Sequence, residues 1–220
     1  MKVLLISSSP HKEKSRTFFL AQEALRGLAQ EGIDTETMHL DDYKIFFCKH
    51  CEECHKKILH CIVEDDVHII LKKMLECNGI ILASPNYINQ VTASMKALFD
   101  RSAHFIHCKR LLGKYIAATV SSGSGQDQDV LDYIRLYAHT CGAQYSGGVS
   151  SAAHSIEEKK EEAFELGRKL ALDIKEKKAY PQQLEVIEEN KIVFRQIMEL
   201  RKKDWEEEEY LYWQTKGWLK

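Results

Sequence analysis

The chain has 220 residues, 44% hydrophobic and 29% charged, with 31 Lys and Arg against 33 Asp and Glu for a formal charge of -2. This is enough apolar material for one ordinary core, and the near balance of charge excludes an electrostatic case for nucleic acid or an anionic membrane as partner. "MKVLLISSSP" lacks the ~7–15-residue apolar core of a signal peptide, and no window approaches the ~20 apolar residues of a membrane span. A cytoplasmic protein is expected, in which seven cysteines point to metal or redox chemistry rather than a disulfide framework.

In chain order, "KVLLI" (2–6) predicts a strand, "SSSP" a loop, and periodic Phe18, Phe19, Leu25, Leu28 and Ala29 a helix over 15–31. A weaker strand, "IDTETMHL" (33–40), precedes the cysteines. The helix of "DDVHIILKKMLECNG" follows them, with Asp65 or Asp66 expected as its N-cap and Gly79 at its end. "GIILAS" (79–84) then leads through "PNYINQ" to a helix near 91–103. "KYIAATVSS" (114–122) leads through "GSGQDQD" to one near 130–141, and "AQYSGGVS" (143–150) precedes a last helix near 155–177.

Strands alternating with helices predict an α/β protein: a five-stranded parallel sheet, helices on both faces, right-handed connections. Residues 1–178 read as one domain, with the cysteine loop (44–63) inserted after the second strand. Residues 179–220 read as a helical C-terminal extension, with Ile192, Val193, Ile197, Met198 and Leu200 on one face and Trp205, Trp213 and Trp218 beyond it. The extension is either a solvated helix with a few core anchors or an arm packed on a partner subunit, since tryptophans are enriched at interfaces.

Ligands of an open parallel sheet bind at the carboxyl ends of the strands. In "SSSPHKEKSRT" the hydroxyls of Ser7, Ser8, Ser9, Ser15 and Thr17, the cations His11, Lys12 and Arg16, and the first helical amides form a phosphate cradle. A serine-rich helix cap with a solvated basic loop is the alternative. The loop has no glycine, which excludes a Walker loop and a dinucleotide fingerprint and favours a mononucleotide held by side-chain hydroxyls. After the third strand, Ser84 and Pro85 shape a turn, Asn86 and Asn89 offer amides, and Tyr87 presents a flat face. Opposite lies "VSSGSG", with Ser121, Ser122, Gly123 and Gly125, and the two loops can sandwich an isoalloxazine.

Cys48, Cys51 and Cys54 are spaced C-x2-C-x2-C, and Cys61 follows. Two-residue gaps let successive thiolates bind irons of one compact cluster, which a nearby fourth cysteine closes. A [4Fe-4S] cluster is therefore expected. A zinc site in which His50, His55 or His60 replaces a thiolate, and unligated thiols, are the alternatives. Cys77, Cys108 and Cys141 read as small core residues. His104 and His107 read as surface or capping residues, and Asp100 and Arg101 as interface or capping residues.

The stretches "ISSSPHKEKSRT", "ILASPNYINQVTASMKALFDR" and "TVSSGSG" resemble the three flavin-binding loops of the flavodoxin-like NAD(P)H-dependent FMN reductases. The cysteine insertion followed by "CIVEDD" resembles the iron-sulfur flavoprotein branch of that superfamily. The chain departs from the family pattern at Ser8, His11 and Asn86, where glycine, arginine and valine are common. The resemblance implies a three-layer flavodoxin-like sandwich with strand order 2-1-3-4-5, and FMN bound by the residues named in the three loops. It also implies a [4Fe-4S] cluster on Cys48, Cys51, Cys54 and Cys61, and a homodimer or homotetramer in which the cluster loop of one subunit approaches the flavin of another. Electrons would enter from ferredoxin at the cluster or from NAD(P)H at the flavin, with no catalytic acid or base on the protein. The rival readings are an NAD(P)H-dependent FMN or quinone reductase without a cluster, and a zinc-stabilised non-catalytic carrier or binding protein.

Overall fold

A computed structural model describes residues 1–123 and 125–219; Ser124, inside the "VSSGSG" loop, and Lys220, the last residue of the extension, lie outside the described residues. Strands β1 (Lys2–Ser7), β2 (Asp34–His39), β3 (Gly79–Pro85), β4 (Tyr115–Ser122) and β5 (Gln144–Ala152) form one sheet in the order β2-β1-β3-β4-β5. Every neighbouring pair is parallel. The inner strands are apolar at successive positions because helices cover both faces.

Side chains alternate across β1 with the period of two that a strand dictates. Val3 and Leu5 enter the core formed with α1 (Arg16–Gln30) and α7 (Lys160–Glu176). Leu4 and Ile6 enter the core formed with α3 (Val67–Glu76), α4 (Ala93–Arg101) and α6 (Gln128–Thr140). Helices α1 and α7 touch backbone to backbone: a Cβ on Gly167 would lie 1.9 Å from the Ala24 carbonyl oxygen, and one on Gly27 2.1 Å from that of Phe164.

Two local expectations are corrected, and one is decided between its alternatives. Gly79 opens β3 rather than ending a helix, and its missing side chain makes room for Ile174, whose Cδ1 would stand 2.7 Å from a Cβ. Asp66 makes no side-chain cap; its carboxylate accepts the Lys44 amide at 2.8 Å, and it is Asp65 that accepts the Val67 amide at 3.1 Å. The helix expected over 91–103 breaks into α4 and α5 (Ala103–His107) at buried Ser102, whose hydroxyl bonds the Phe99 carbonyl and the Tyr137 hydroxyl.

The extension contains α8 (Pro181–Leu200), α9 (Lys202–Trp205), a π-helical turn (Glu206–Tyr210) and α10 (Leu211–Thr215). Proline at the first turn suits a helix start, where its missing N–H has no acceptor to lose. The Gln183 amide exchanges hydrogen bonds with the Tyr145 amide (2.6 Å) and carbonyl (3.0 Å), which covers the free edge of β5. Trp205 and Trp213 are buried with Met198 and Cys108 in a third core within the same chain. Ile192, Val193 and Leu200 are exposed. Cys77, Cys108 and Cys141 are buried. Among the described residues no helix is long and apolar enough to cross a membrane.

Candidate functional site

The carboxyl ends of β1, β3 and β4 open into a cleft of about 440 Å³. From the first loop it receives Ser9, His11, Ser15, Arg16 and Thr17; from the second, Pro85, Asn86 and Tyr87; from the third, Ser121, Ser122 and Gly123. The Ser15 oxygen accepts the Phe18 amide at 2.9 Å as the N-cap of α1, which leaves its O–H free to donate. The amides of Arg16 and Thr17, first in α1, have no acceptor within the helix. Together with His11 and Arg16 they suit this end of the cleft to an anion.

Thr17 Oγ1 and Ser121 Oγ lie 2.6 Å apart and join the first loop to the third. Asn86 donates its backbone amide to the Ser121 carbonyl (2.8 Å) and its side-chain amide to the Gln126 carbonyl, while its Oδ1 is buried without a partner. An orphaned acceptor beside a half-exposed tyrosine suits a flat ligand that carries an N–H. The residues present therefore fit a phosphate monoester at one end and a planar ring at the other.

Four expected residues are not part of the lining. Ser7 is buried with an unpartnered Oγ. Ser84 accepts the Thr92 amide at 3.1 Å and so braces the start of α4. Gly125 (φ +80°) donates its amide to Ser122 Oγ at 2.8 Å. Asn89 sits with Ile88 at positive φ (+55° and +54°) in a tight turn closed by reciprocal Tyr87–Gln90 backbone bonds, a conformation that asparagine tolerates and a β-branched residue resists. Lys12 is drawn away to Asp42, and Lys14 lines the cleft in its place. Lys14 and Ala153, also in the lining, carried no signal beyond general loop composition.

The cysteine loop is built differently. Its regular structure is the short α2 (Glu53–Lys56), and His50 and Glu52 take left-handed backbone (φ +50° and +61°) to turn the chain between thiols. Cys48 and Cys51 are exposed, Cys54 and Cys61 half-buried, and the His50 amide donates to Cys48 Sγ at 3.4 Å. Burial first, then Glu209, Cys61, Cys48 and Cys51, push the Cys54 thiol up to about 12.

Among the described residues the trio of ligand atoms within 4.8 Å of one another is His55, His107 and Glu209, not three sulfurs. Tetrahedral zinc with ~2.3 Å bonds would need sulfurs only ~3.8 Å apart. A cluster gives each thiolate its own iron and spreads the sulfurs wider, an arrangement that the C-x2-C-x2-C spacing with Cys61 beyond it allows.

Buried Arg101 closes the base of the loop. It donates to both Asp65 oxygens (2.6 and 3.1 Å), to the Phe46 carbonyl (2.8 Å) at the loop entrance and to the Val63 carbonyl (3.4 Å) at its exit. Burial alone would raise the Asp65 carboxyl, but Arg101 and the Phe46 and Val67 amides outweigh it and hold it below the usual carboxylate range. The expected interface or capping role for Arg101 is thus replaced by an internal one, while Asp100 keeps to the surface in an ion pair with Lys96.

His104 is fully buried with both ring nitrogens unpartnered, and burial pushes its pKa down to about 3. His107 is drawn inward too: its Nδ1 lies 3.0 Å from one oxygen of Glu209, and His55 Nδ1 lies 2.8 Å from the other. The two imidazoles stack 4.3 Å apart and 7° from parallel. Parallel rings send their lone pairs along parallel lines, so this trio suits a shared carboxylate rather than a single ion. Glu209 was invisible in sequence, where "WEEEEY" reads as a solvated acidic face.

Residues 1–158 match the NADPH-dependent FMN reductase family. An iron-sulfur flavoprotein of Methanocaldococcus jannaschii is 41% identical over 133 residues, which cover 59% of this chain and 68% of that protein. An iron-sulfur flavoprotein of Archaeoglobus fulgidus is 29% identical over 227 aligned positions that span the whole of both chains. Among solved structures, a flavodoxin from the domain Archaea superposes with a TM-score of 0.56 at 16% identity, covering 80% of this chain and 99% of its own. That likeness makes the fold flavodoxin-like.

Proposed function

Because the chain belongs to the iron-sulfur flavoprotein branch of the NADPH-dependent FMN reductase family, we propose that this flavin-dependent oxidoreductase moves electrons between a [4Fe-4S] cluster on Cys48, Cys51, Cys54 and Cys61 and FMN in the strand-end cleft. The observation that carries the reading is the pairing of two features in one chain: a cleft lined by hydroxyls, cations and a tyrosine at the strand ends, and a loop with four cysteines within fourteen residues. When bound, FMN supplies two-electron chemistry and the cluster one-electron transfer.

The protein's own part is to bind and orient. Ser9, Ser15, Thr17, His11 and Arg16 would hold the phosphate, and Asn86, Tyr87, Ser122 and Gly123 the ring. No side chain in the cleft is assigned as acid or base. Electrons would enter from ferredoxin at the cluster or from NAD(P)H at the flavin.

Assembly as a homodimer or homotetramer is part of the proposal. Exposed Phe46, Phe47 and Ile62 surround Cys48 beside a cavity of about 640 Å³, and such an apolar rim supports a partner subunit over the cluster. The test is an ultraviolet–visible spectrum with iron, sulfide, zinc and FMN quantitation on protein purified without oxygen. About four irons and four sulfides per FMN are expected. FMN without iron would overturn the cluster and leave a plain FMN or quinone reductase.

A further inference from the structure

We propose that Glu209 is a positioning residue for the cysteine loop: the C-terminal extension returns to clamp the loop beside Cys54 and fixes the pocket in which a cluster would be held. The functional consequence rests on the cluster reading above; the clamp itself stands on the packing of the extension against the loop.

The loop holds little structure of its own. Beyond the four residues of α2 it takes left-handed backbone at His50, Glu52 and Leu59 (φ +50°, +61° and +62°). Non-glycine residues persist in that region only where surrounding groups over-determine them, and three groups of the extension reach the loop at or near these residues. Arg201 pairs with Glu52, Glu208 accepts the Ile58 amide, and Glu209 takes His55. Trp205 lies against both histidine rings at 4.7 and 5.2 Å.

Glu209 is the centre of this arrangement because its side chain has no exposed surface. A carboxylate so placed must be satisfied within the protein, and each of its oxygens meets one imidazole. Those histidines belong to segments 154 and 102 residues away: His55 directly follows Cys54, and His107 ends α5. Both rings line a cavity of about 520 Å³ together with Cys48, Cys54 and Trp205. With Nδ1 committed to the carboxylate, each ring is held in one orientation on the cavity wall, as second-sphere carboxylates hold metal-site histidines elsewhere. The extension is thus a wall of its own chain's cysteine pocket.

The test uses full-length protein with FMN bound, as wild type, Glu209→Ala and Glu209→Gln. Iodoacetamide alkylation of Cys54 is followed by peptide mass spectrometry after chelation of any iron, with buried Cys141 as the reference for global unfolding. Iron and sulfide per FMN are measured on separate samples before chelation. Glu209→Ala is expected to raise the Cys54 rate about tenfold, the factor that ~1.4 kcal/mol of lost hydrogen bonding gives. Cys141 should stay protected and FMN content unchanged, and iron per FMN should fall. Glu209→Gln, which keeps the shape and one acceptor oxygen, should recover part of both losses.

Equal Cys54 rates in wild type and Glu209→Ala would overturn the proposal. So would a rise at Cys54 and Cys141 together, which would make Glu209 a general stability residue. If Glu209→Ala is insoluble, His107→Phe keeps the stacked ring, removes one hydrogen bond to the carboxylate and is judged by the same ratio. Wild-type protein without iron after anaerobic reconstitution would sink the cluster reading, while the alkylation ratio would still decide the clamp.

Discussion

In the strand-end cleft each contributing side chain lies close to the element that positions it. Ser9 comes two residues after β1, Tyr87 two after β3 and Gly123 directly after β4. In the cysteine pocket the nearest regular element is one turn of helix, and the groups that hold the loop arrive from α4, α5 and the extension. The first site inherits its precision from a sheet whose register is set by backbone hydrogen bonds. The second must obtain it from side chains, among them a buried ion pair and a buried carboxylate. Such groups are costly when one partner is missing, so the cysteine pocket should be the more fragile of the two and should fail without taking the cleft with it.

The largest expected effect comes from Arg101→Met. It leaves the Asp65 carboxylate buried and unpaired and frees both ends of the loop, at a cost of about 3–5 kcal/mol. Urea unfolding should show that loss, and iron per FMN should collapse while folded protein still binds FMN. If flavin binding vanished in parallel with iron, the separation of the two sites would be broken.

The reciprocal variant is Arg16→Ala, in the cleft. Removing one charge-assisted hydrogen bond to phosphate is worth about 1.5–3 kcal/mol, or roughly tenfold to a hundredfold in Kd. Flavin fluorescence quenching should report it, with cysteine alkylation rates unchanged.

The smallest effect concerns Lys109, which is buried with its Nζ 2.9 Å from the Thr140 carbonyl and 4.3 Å from the centre of the Phe194 ring. Burial pushes its pKa down to about 8, against roughly 10.4 in an unfolded chain. Between those values the unfolded state binds more protons, so wild-type stability rises with pH across that window and the penalty is full below it. Lys109→Met forfeits the hydrogen bond to Thr140 and the cation–π interaction with Phe194, yet it should still stabilise the protein at pH 7 by about 1–2 kcal/mol because no charge is then buried. The advantage should fade as pH climbs to about 10.4. A gain independent of pH would mean that packing, not charge, limits this region.

Much of this molecule is legible in the chain itself. The apolar runs at 2–6, 79–84 and 114–122 announce buried parallel strands, because such strands need no polar face. The serine-rich loop after the first, the Ser-Pro-Asn-Tyr turn after the second and the Ser-Ser-Gly turn after the third lie where an open sheet binds ligands. The cysteine spacing points to metal chemistry in the same local way. Strand pattern, loop chemistry and ligand spacing are short-range properties, set by residues that are neighbours in the chain. The inward turn of Arg101, the burial of His104 and His107, the internal packing of Trp205 and Trp213, and the return of Glu209 to His55 had no local signal. An arginine after an aspartate reads as an interface or capping residue, and a glutamate in a run of four as solvated surface, until the fold brings each to a partner. Tertiary structure alone decided those roles, because a buried charge acquires its function from the group opposite it, and that group can lie anywhere in the sequence.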